Sequence, residues 1–354
     1  MAAGAHTQKV CALLFCEDSM LILKPSYFDN FHCIAGECPD SCCKEWDVQV
    51  DADAATFYRT LPGALGDRLR EVLREEDGET VMTITDGLCP MWRTDGLCRI
   101  QAELGEAALC KTCREFPRLT HDYGDFIERG LELSCPEAAR IILTTAPSPA
   151  LSEEIPGAAD AEYGREAMAV LKQTRSTALS LISDTAHSVP EMLALLLLYG
   201  YQAQGELDGE EVMPFDAARA MDAIREFAKQ GEWKPLLDFF AGLEILTSRW
   251  AGRLKCPGIP CFPENTRNLA GYFVERYWLQ AVSDYDLACR VKFMVISCLV
   301  ICCLGGDFTG TAQLYSKEIE NSRENVEALL DGAYSSPAFT DDKLLGLLLN
   351  LSNS

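Results

Sequence analysis

Nine cysteines stand between Cys33 and Cys135: Cys33-x4-Cys38-x3-Cys42-Cys43, then Cys89-x8-Cys98, Cys110-x2-Cys113, and Cys135. Thiolates gathered at such short intervals are what a soft metal ion or an iron–sulfur cluster requires. A zinc site needs four ligands, which Cys110-x2-Cys113 and two further thiols would supply. A 4Fe–4S cluster needs four thiolates, or three when one iron is left open for substrate. Nine thiols exceed either need, so the set holds two sites, or one site with structural or redox thiols beside it. Cysteines packed as small hydrophobes would have apolar neighbours. Here the neighbours are Gly36, Pro39, Asp40 and Ser41, a turn-rich loop able to bend several sulfurs toward one point. Adjacent Cys42 and Cys43 point opposite ways in extended backbone, so one can ligate while the other packs. Asp40, Glu45, Asp47 and Asp51 crowd the same loop. They are either a solvated face or groups that steer an ammonium and take its proton.

The remaining candidates are weaker. Cys298, Cys302 and Cys303 lie in the apolar run FMVISCLVICCL and read as core. Cys256-Pro-Gly-Ile-Pro-Cys261 reads as a loop. Of His6, His32, His121 and His187, His32 alone adjoins a cysteine. No G-x-G-x-x-G, P-loop or G-x-S-x-G occurs, so a standard dinucleotide site, an NTPase and a serine hydrolase lack support.

Short elements position the thiols. WDVQVD (46–51) alternates like a strand, and Asp53 is placed to cap a helix running through Tyr58. Leu65 to Leu73 is a further helix, and Glu79 to Thr85 a strand turning at Asp86-Gly87. The Pro and Asp-Gly of LCPMWRTDGLCRI bring Cys89 near Cys98. Residues 101–114 read as one helix ending near Pro117, residues 126–133 as a strand, and Pro136 opens a helix. TAPSPALSEEIPGAAD (145–160) has linker composition. Helical patterns follow at about 161–183, 190–204, 216–229, 234–250, 266–281, 285–304, 311–330 and 340–351. The expected architecture is mainly α, with a small cysteine-rich α+β N-terminal domain tied by a metal cluster, followed by an all-α helical domain. Its divisions are an N-terminal extension (1–19), the cysteine-rich domain (20–145), a linker (146–160) and the helical domain (161–354).

The whole chain, 354 residues with 48% hydrophobic and 24% charged, has the balance of an ordinary globular protein. A net charge of −23 with no basic run excludes a phosphate-tracking surface, so no nucleic-acid partner is expected. It suits a cationic partner, such as a protein bearing exposed lysines, or serves solubility. The first residues form no good signal peptide, and Phe293 to Leu304 is short of a bilayer span. Reduced thiols in the cytoplasm and no transmembrane segment are therefore expected, with peripheral membrane association and oligomerisation left open.

The blocks SYFDNFHCIAGECPDSCCKEWDVQVD, LCPMWRTDGLCRIQAELGEAALCKTCREFPR and LELSCPEAARIIL resemble those of the flagellin lysine-N-methylase family. The middle block also resembles a broader cysteine-rich group described as zinc- or iron-chelating. The resemblance covers roughly residues 20–144. It implies methyl transfer from S-adenosylmethionine to lysines of flagellin, and a 4Fe–4S cluster, with zinc the alternative. By this resemblance the metal ligands are Cys33, Cys38, Cys42, Cys43, Cys89, Cys98, Cys113 and Cys135. Cys110 occupies a more variable position of the family's helix block and ranks below them. Cys38-x3-Cys42 has the first gap of a radical-SAM C-x3-C-x2-C motif, but the second is missing. No glycine-rich turn of the usual methyltransferase fold is visible, so the S-adenosylmethionine pocket is expected near the cluster or between the two halves. The rival reading is a zinc-stabilised binding or adaptor module without catalysis.

Overall fold

The computed structural model describes residues 19–42, 48–76, 78–145, 151–156 and 161–350. Its first strand, β1 (Ser19–Lys24), is central to the larger sheet. The following stretch contributes β2 (Val48–Gln49), α1 (Ala52–Thr60), α2 (Gly63–Val72), β3 (Leu73–Glu76) and β4 (Glu79–Met82). Then come α3 (Arg99–Leu104), α4 (Lys111–Glu115), β5 (Arg118–Asp122), β6 (Phe126–Leu131), α5 (Pro136–Thr144) and β7 (Leu151–Pro156). Two sheets result, ordered β5-β6-β1-β7 and β2-β4-β3. β1 runs parallel to β6 and antiparallel to β7. Asp86 and Gly87, at φ 54° and 74°, make the expected tight turn between Thr85 and Leu88.

Ten helices complete the described chain: α6 (Arg165–Ser183), α7 (Val189–Leu207), α8 (Ala217–Phe227), α9 (Trp233–Ala241), α10 (Ser248–Lys255), α11 (Thr266–Tyr277), α12 (Leu287–Leu304), α13 (Phe308–Tyr315), α14 (Arg323–Ser335) and α15 (Asp341–Asn350). A π-helical turn, Ser316–Glu320, extends α13. α7 opens with a capping box, Ser188 with Glu191, and with Pro190 in its first turn. α12 is apolar all round and by length and composition could cross a membrane, yet 94% of it is buried inside the molecule. A helix without a polar face belongs in a core. α12 packs on α7, α11 and α14, and its Ser297 hydroxyl meets Tyr315 Oη at 2.6 Å.

The mainly helical architecture with a small N-terminal α+β part follows the sequence expectation, and several details differ. The capping residue of α1 is Asp51, whose carboxylate accepts the Ala54 N–H, and not Asp53. The single helix expected over 101–114 is broken at Gly105, whose φ of 85° ends α3. The helix expected over 234–250 is two, α9 and α10, and that over 311–330 divides into α13, the π turn and α14. Within 146–160, read as a linker, residues 151–156 form β7 on the edge of the sheet. One hydrophobic cluster joins Phe28, Phe126, Leu131 and Leu133 and the inner face of α5 to the helices, across position 145. A smaller one holds β2, α1, α2 and the Cys89 region.

Candidate functional site

A cavity of about 320 Å³ opens where the cysteine loop, the starts of α3, α4 and α5, and the π turn meet. Six thiols line it: Cys33, Cys38, Cys42, Cys98, Cys113 and Cys135. That volume is at the lower end of small-molecule sites. Local structure explains how residues distant in sequence arrive there. Cys33 and Cys38 flank a 3-10 turn, Ala35–Glu37; Cys33 Sγ accepts the Ala35 N–H at 3.4 Å, and Cys38 N donates to Ala35 O at 3.1 Å. Cys98 pairs with Trp92 across a short bridge and stands at the N-cap of α3. Cys110 is the N-cap of α4 and Cys113 lies one turn in. Asp51 fixes that helix as well as its own: its two carboxylate oxygens accept the Ala54 N–H at 3.1 Å and the Lys111 N–H at 2.6 Å. Cys135 caps α5, where Pro136 presets the first turn.

Helix N-termini favour thiolates. Burial pushes the Cys135 thiol up to about 12, although the N–H groups of Ala138 and Glu137 oppose it. Burial likewise raises Cys38 against a bond from the Asp40 N–H. Cys110 and Cys113 share a hydrogen bond, which holds Cys110 below an ordinary thiol and, with burial, lifts Cys113 above one. A metal bound by these thiols would displace their protons.

The helical half clamps the loop. Lys317 Nζ lies 2.9 Å from Asp40 Oδ2, and Gln313 Nε2 donates to Asp40 Oδ2 at 3.2 Å and to Ser134 O at 2.8 Å. Burial alone would raise the Asp40 carboxyl; Lys317, with bonds from Ser41 and Gln313, brings it below the usual carboxylate range. Asp40 and Asp51 thus position the site, and neither stands as a bare acceptor for an incoming ammonium. Glu45 and Asp47 lie outside the described residues.

Of the expected ligands, Cys43 is also outside the described residues, and Cys89 sits elsewhere. Cys89 is buried in the smaller hydrophobic cluster and does not line the cavity. The tight turn joins its segment to that of Cys98, through Trp92 N to Cys89 O at 2.9 Å, and Cys98 and Cys113, which line the cavity, pack against the same cluster. His32, exposed, lines the cavity beside Cys33. Lys317 and Gln313, remote in sequence, carried no signal that linked them to the cysteines. Among the described residues no three His, Cys, Asp or Glu side chains converge closely enough for one metal ion. A single zinc needs four donors at about 2.3 Å, whereas a cluster is held by thiolates spread around it, one to each iron. Thiols lining one cavity are the donor set that a soft metal ion or a cluster would use.

Comparison with known proteins adds the following. No family model matches, and no solved structure matches. The chain is 31% identical over 140 residues to a flagellar biosynthetic protein, FliU, of Salmonella muenchen, covering 38% of this chain and 83% of that one. It is 32% identical over 140 residues to a lysine-N-methylase of Salmonella typhimurium, and 31% identical to one of Salmonella choleraesuis. The match spans 35% of the length of each of these two methylases.

Proposed function

Because the chain belongs to the flagellin lysine-N-methylase family, we propose that it transfers methyl groups from S-adenosylmethionine to lysines of flagellin. We further propose that the thiol cavity holds a 4Fe–4S cluster on which the activity depends. The observation that carries the cluster is the gathering of six thiols on one cavity, three from the loop and one from each of three helix beginnings. Cys33, Cys38, Cys42, Cys98, Cys113 and Cys135 are the pool from which its ligands come, with Cys43 the adjoining candidate. When bound, such a cluster supplies electron transfer, and an open iron supplies a Lewis acid.

Methylating an amine needs the amine neutral, the sulfonium methyl aligned behind it, and a group to receive the proton. The chain's own part is to hold these in place. Asp51 fixes the helix that carries Cys113, and the Lys317–Asp40–Gln313 clamp fixes the loop against Cys135. The cavity's apolar wall, with Phe31, Leu97 and Leu109, restricts water.

Purification without oxygen, followed by metal and sulfide analysis, an absorption spectrum and a methyl-transfer assay on flagellin, tests this reading. Broad absorbance near 400 nm with about four irons per chain is expected. Cys113→Ser should lose at least about half of that iron, while Cys89→Ala keeps it. Zinc in a colourless protein that transfers no methyl group would replace the proposal with a structural module. Equal iron loss in the two variants would overturn the ligand assignment.

A further inference from the structure

A second cavity, of about 150 Å³, lies against the same three segments that wall the thiol cavity. Tyr27, Leu119 and Leu131 line the second; Phe31, Arg118 and Ser134, a few residues along each segment, line the first. Arg118 stacks on Phe31 at 5.2 Å in the wall of the first. The two chambers therefore sit back to back.

The walls of the second cavity are aliphatic, from Leu23, Pro25, Leu119 and Leu179, and its floor is charged. Arg175 and Arg276 are already answered. Arg175 makes a two-pronged pair with Glu128 at 2.7 and 3.0 Å, and Arg276 reaches Glu320 at 3.4 Å and Tyr272 Oη at 2.5 Å. Glu275 is different. Its carboxylate accepts one bond, from Tyr27 Oη, at a long 3.4 Å. Burial, opposed by the nearby Arg175 charge, pushes this carboxyl up to about 7. His121 Nε2 is buried here without a partner among the described residues, and burial with the Arg276 charge lowers this imidazole, so it is neutral and supplies no counter-charge. A buried imidazole nitrogen without a partner is costly, and a half-buried carboxylate with one long bond has acceptor capacity left for a ligand.

The complementary ligand carries a donating cation on an apolar stem. At about 150 Å³ the cavity is smaller than the sites that hold whole small-molecule ligands and is suited to a single side chain. At the floor an anionic ligand is disfavoured, because Arg175 and Arg276 are occupied. We propose that this cavity takes the side chain of the acceptor lysine, with Glu275 as counter-ion to its ammonium and Tyr27 and His121 as flanking hydrogen-bonding groups. The proposal rests on the lysine-methylase reading for the identity of the ligand. Exposed Arg129 marks its rim, open to a protein substrate.

The test is calorimetric titration of the full chain, without methyl donor, with a short capped peptide bearing a central lysine, and with its norleucine twin. Norleucine in place of lysine, and Glu275→Gln in the chain, should each weaken binding about tenfold or more. Gly130→Leu is the second variant: its backbone is not left-handed, and a Cβ there meets only Leu119, itself on the cavity wall, at 4.0 Å. It fills the chamber and should abolish binding. Norleucine peptide bound as well as lysine peptide, no binding by the parent chain, or unaltered binding by both variants would each overturn the proposal. Methyl transfer by the parent chain, measured in parallel, separates the two readings. Transfer with binding indifferent to Glu275 and Gly130 sinks this site alone. Glu275-dependent binding without transfer sinks the methylase reading and leaves the site.

Discussion

Glu275 carries a stability cost as well as a charge. Its carboxyl lies at about 7 against an ordinary 4.5, driven by burial, eased by Arg175 and Tyr27 and reinforced by Glu128. Between those values the folded chain holds a proton that the unfolded chain has lost, so stability falls as pH rises across the window and levels off above it. Glu275→Gln removes the titration. Its advantage over the parent should be absent below about pH 4.5 and reach about 3 kcal/mol at most above pH 7. Urea midpoints at the two ends of the window check this, and an equal difference at both would refute it. A residue whose removal stabilises the fold while weakening ligand binding is one retained for function. No sequence signal pointed to Glu275, because its significance comes from Tyr27 and Arg175, brought to it by folding. The thiols, by contrast, were legible from chain spacing alone. Of the eight that the resemblance implies, six line one cavity, while Cys89 lies outside it in a hydrophobic cluster on which Cys98 and Cys113 also pack.

Among elements, long periodic stretches announced themselves, as α6, α7, α12 and α15 did, because a 3.6-residue pattern depends only on the segment that carries it. The breaks did not. The chain leaves the helical path between α9 and α10 because remote polar groups replace the lost backbone bonds. Asn325 accepts the Glu244 N–H at 3.0 Å and donates to Glu244 O at 3.0 Å, and Glu318 accepts the Leu246 N–H at 2.9 Å. The same logic governs the cysteine loop, which is held by the π turn after α13 and has no regular structure of its own beyond one 3-10 turn. Lys317→Met should therefore loosen residues 33–42 without unfolding the helices. The half-buried pair is worth about 1–2 kcal/mol, and amide exchange within the loop should quicken while exchange in α12 stays unchanged. Uniform acceleration throughout the chain would argue against a local clamp.

At the scale of the molecule, one hydrophobic cluster takes in residues on both sides of position 145, and α5 packs on α11 and α13. The thiol cavity owes its existence to that union: its loop and helix starts come from the first half, and Lys317 and Asn321 from the second. The chain as a whole carries a net charge of −23. A field of this sign raises the local concentration of a cationic substrate and speeds encounter, and salt screens it as the Debye length falls from about 10 Å at 0.1 M to about 3 Å at 1 M. The acceptor amine, once seated beside Glu275, is buried and screened far less. The two stages separate in kinetics. For a lysine-bearing protein substrate, KM should rise by roughly tenfold between about 50 mM and 500 mM salt, with kcat nearly constant. For a small neutral peptide whose only cation is the acceptor lysine, KM should move much less. A salt response equal for the two substrates would mean that the acidic surface serves solubility and plays no part in recognition.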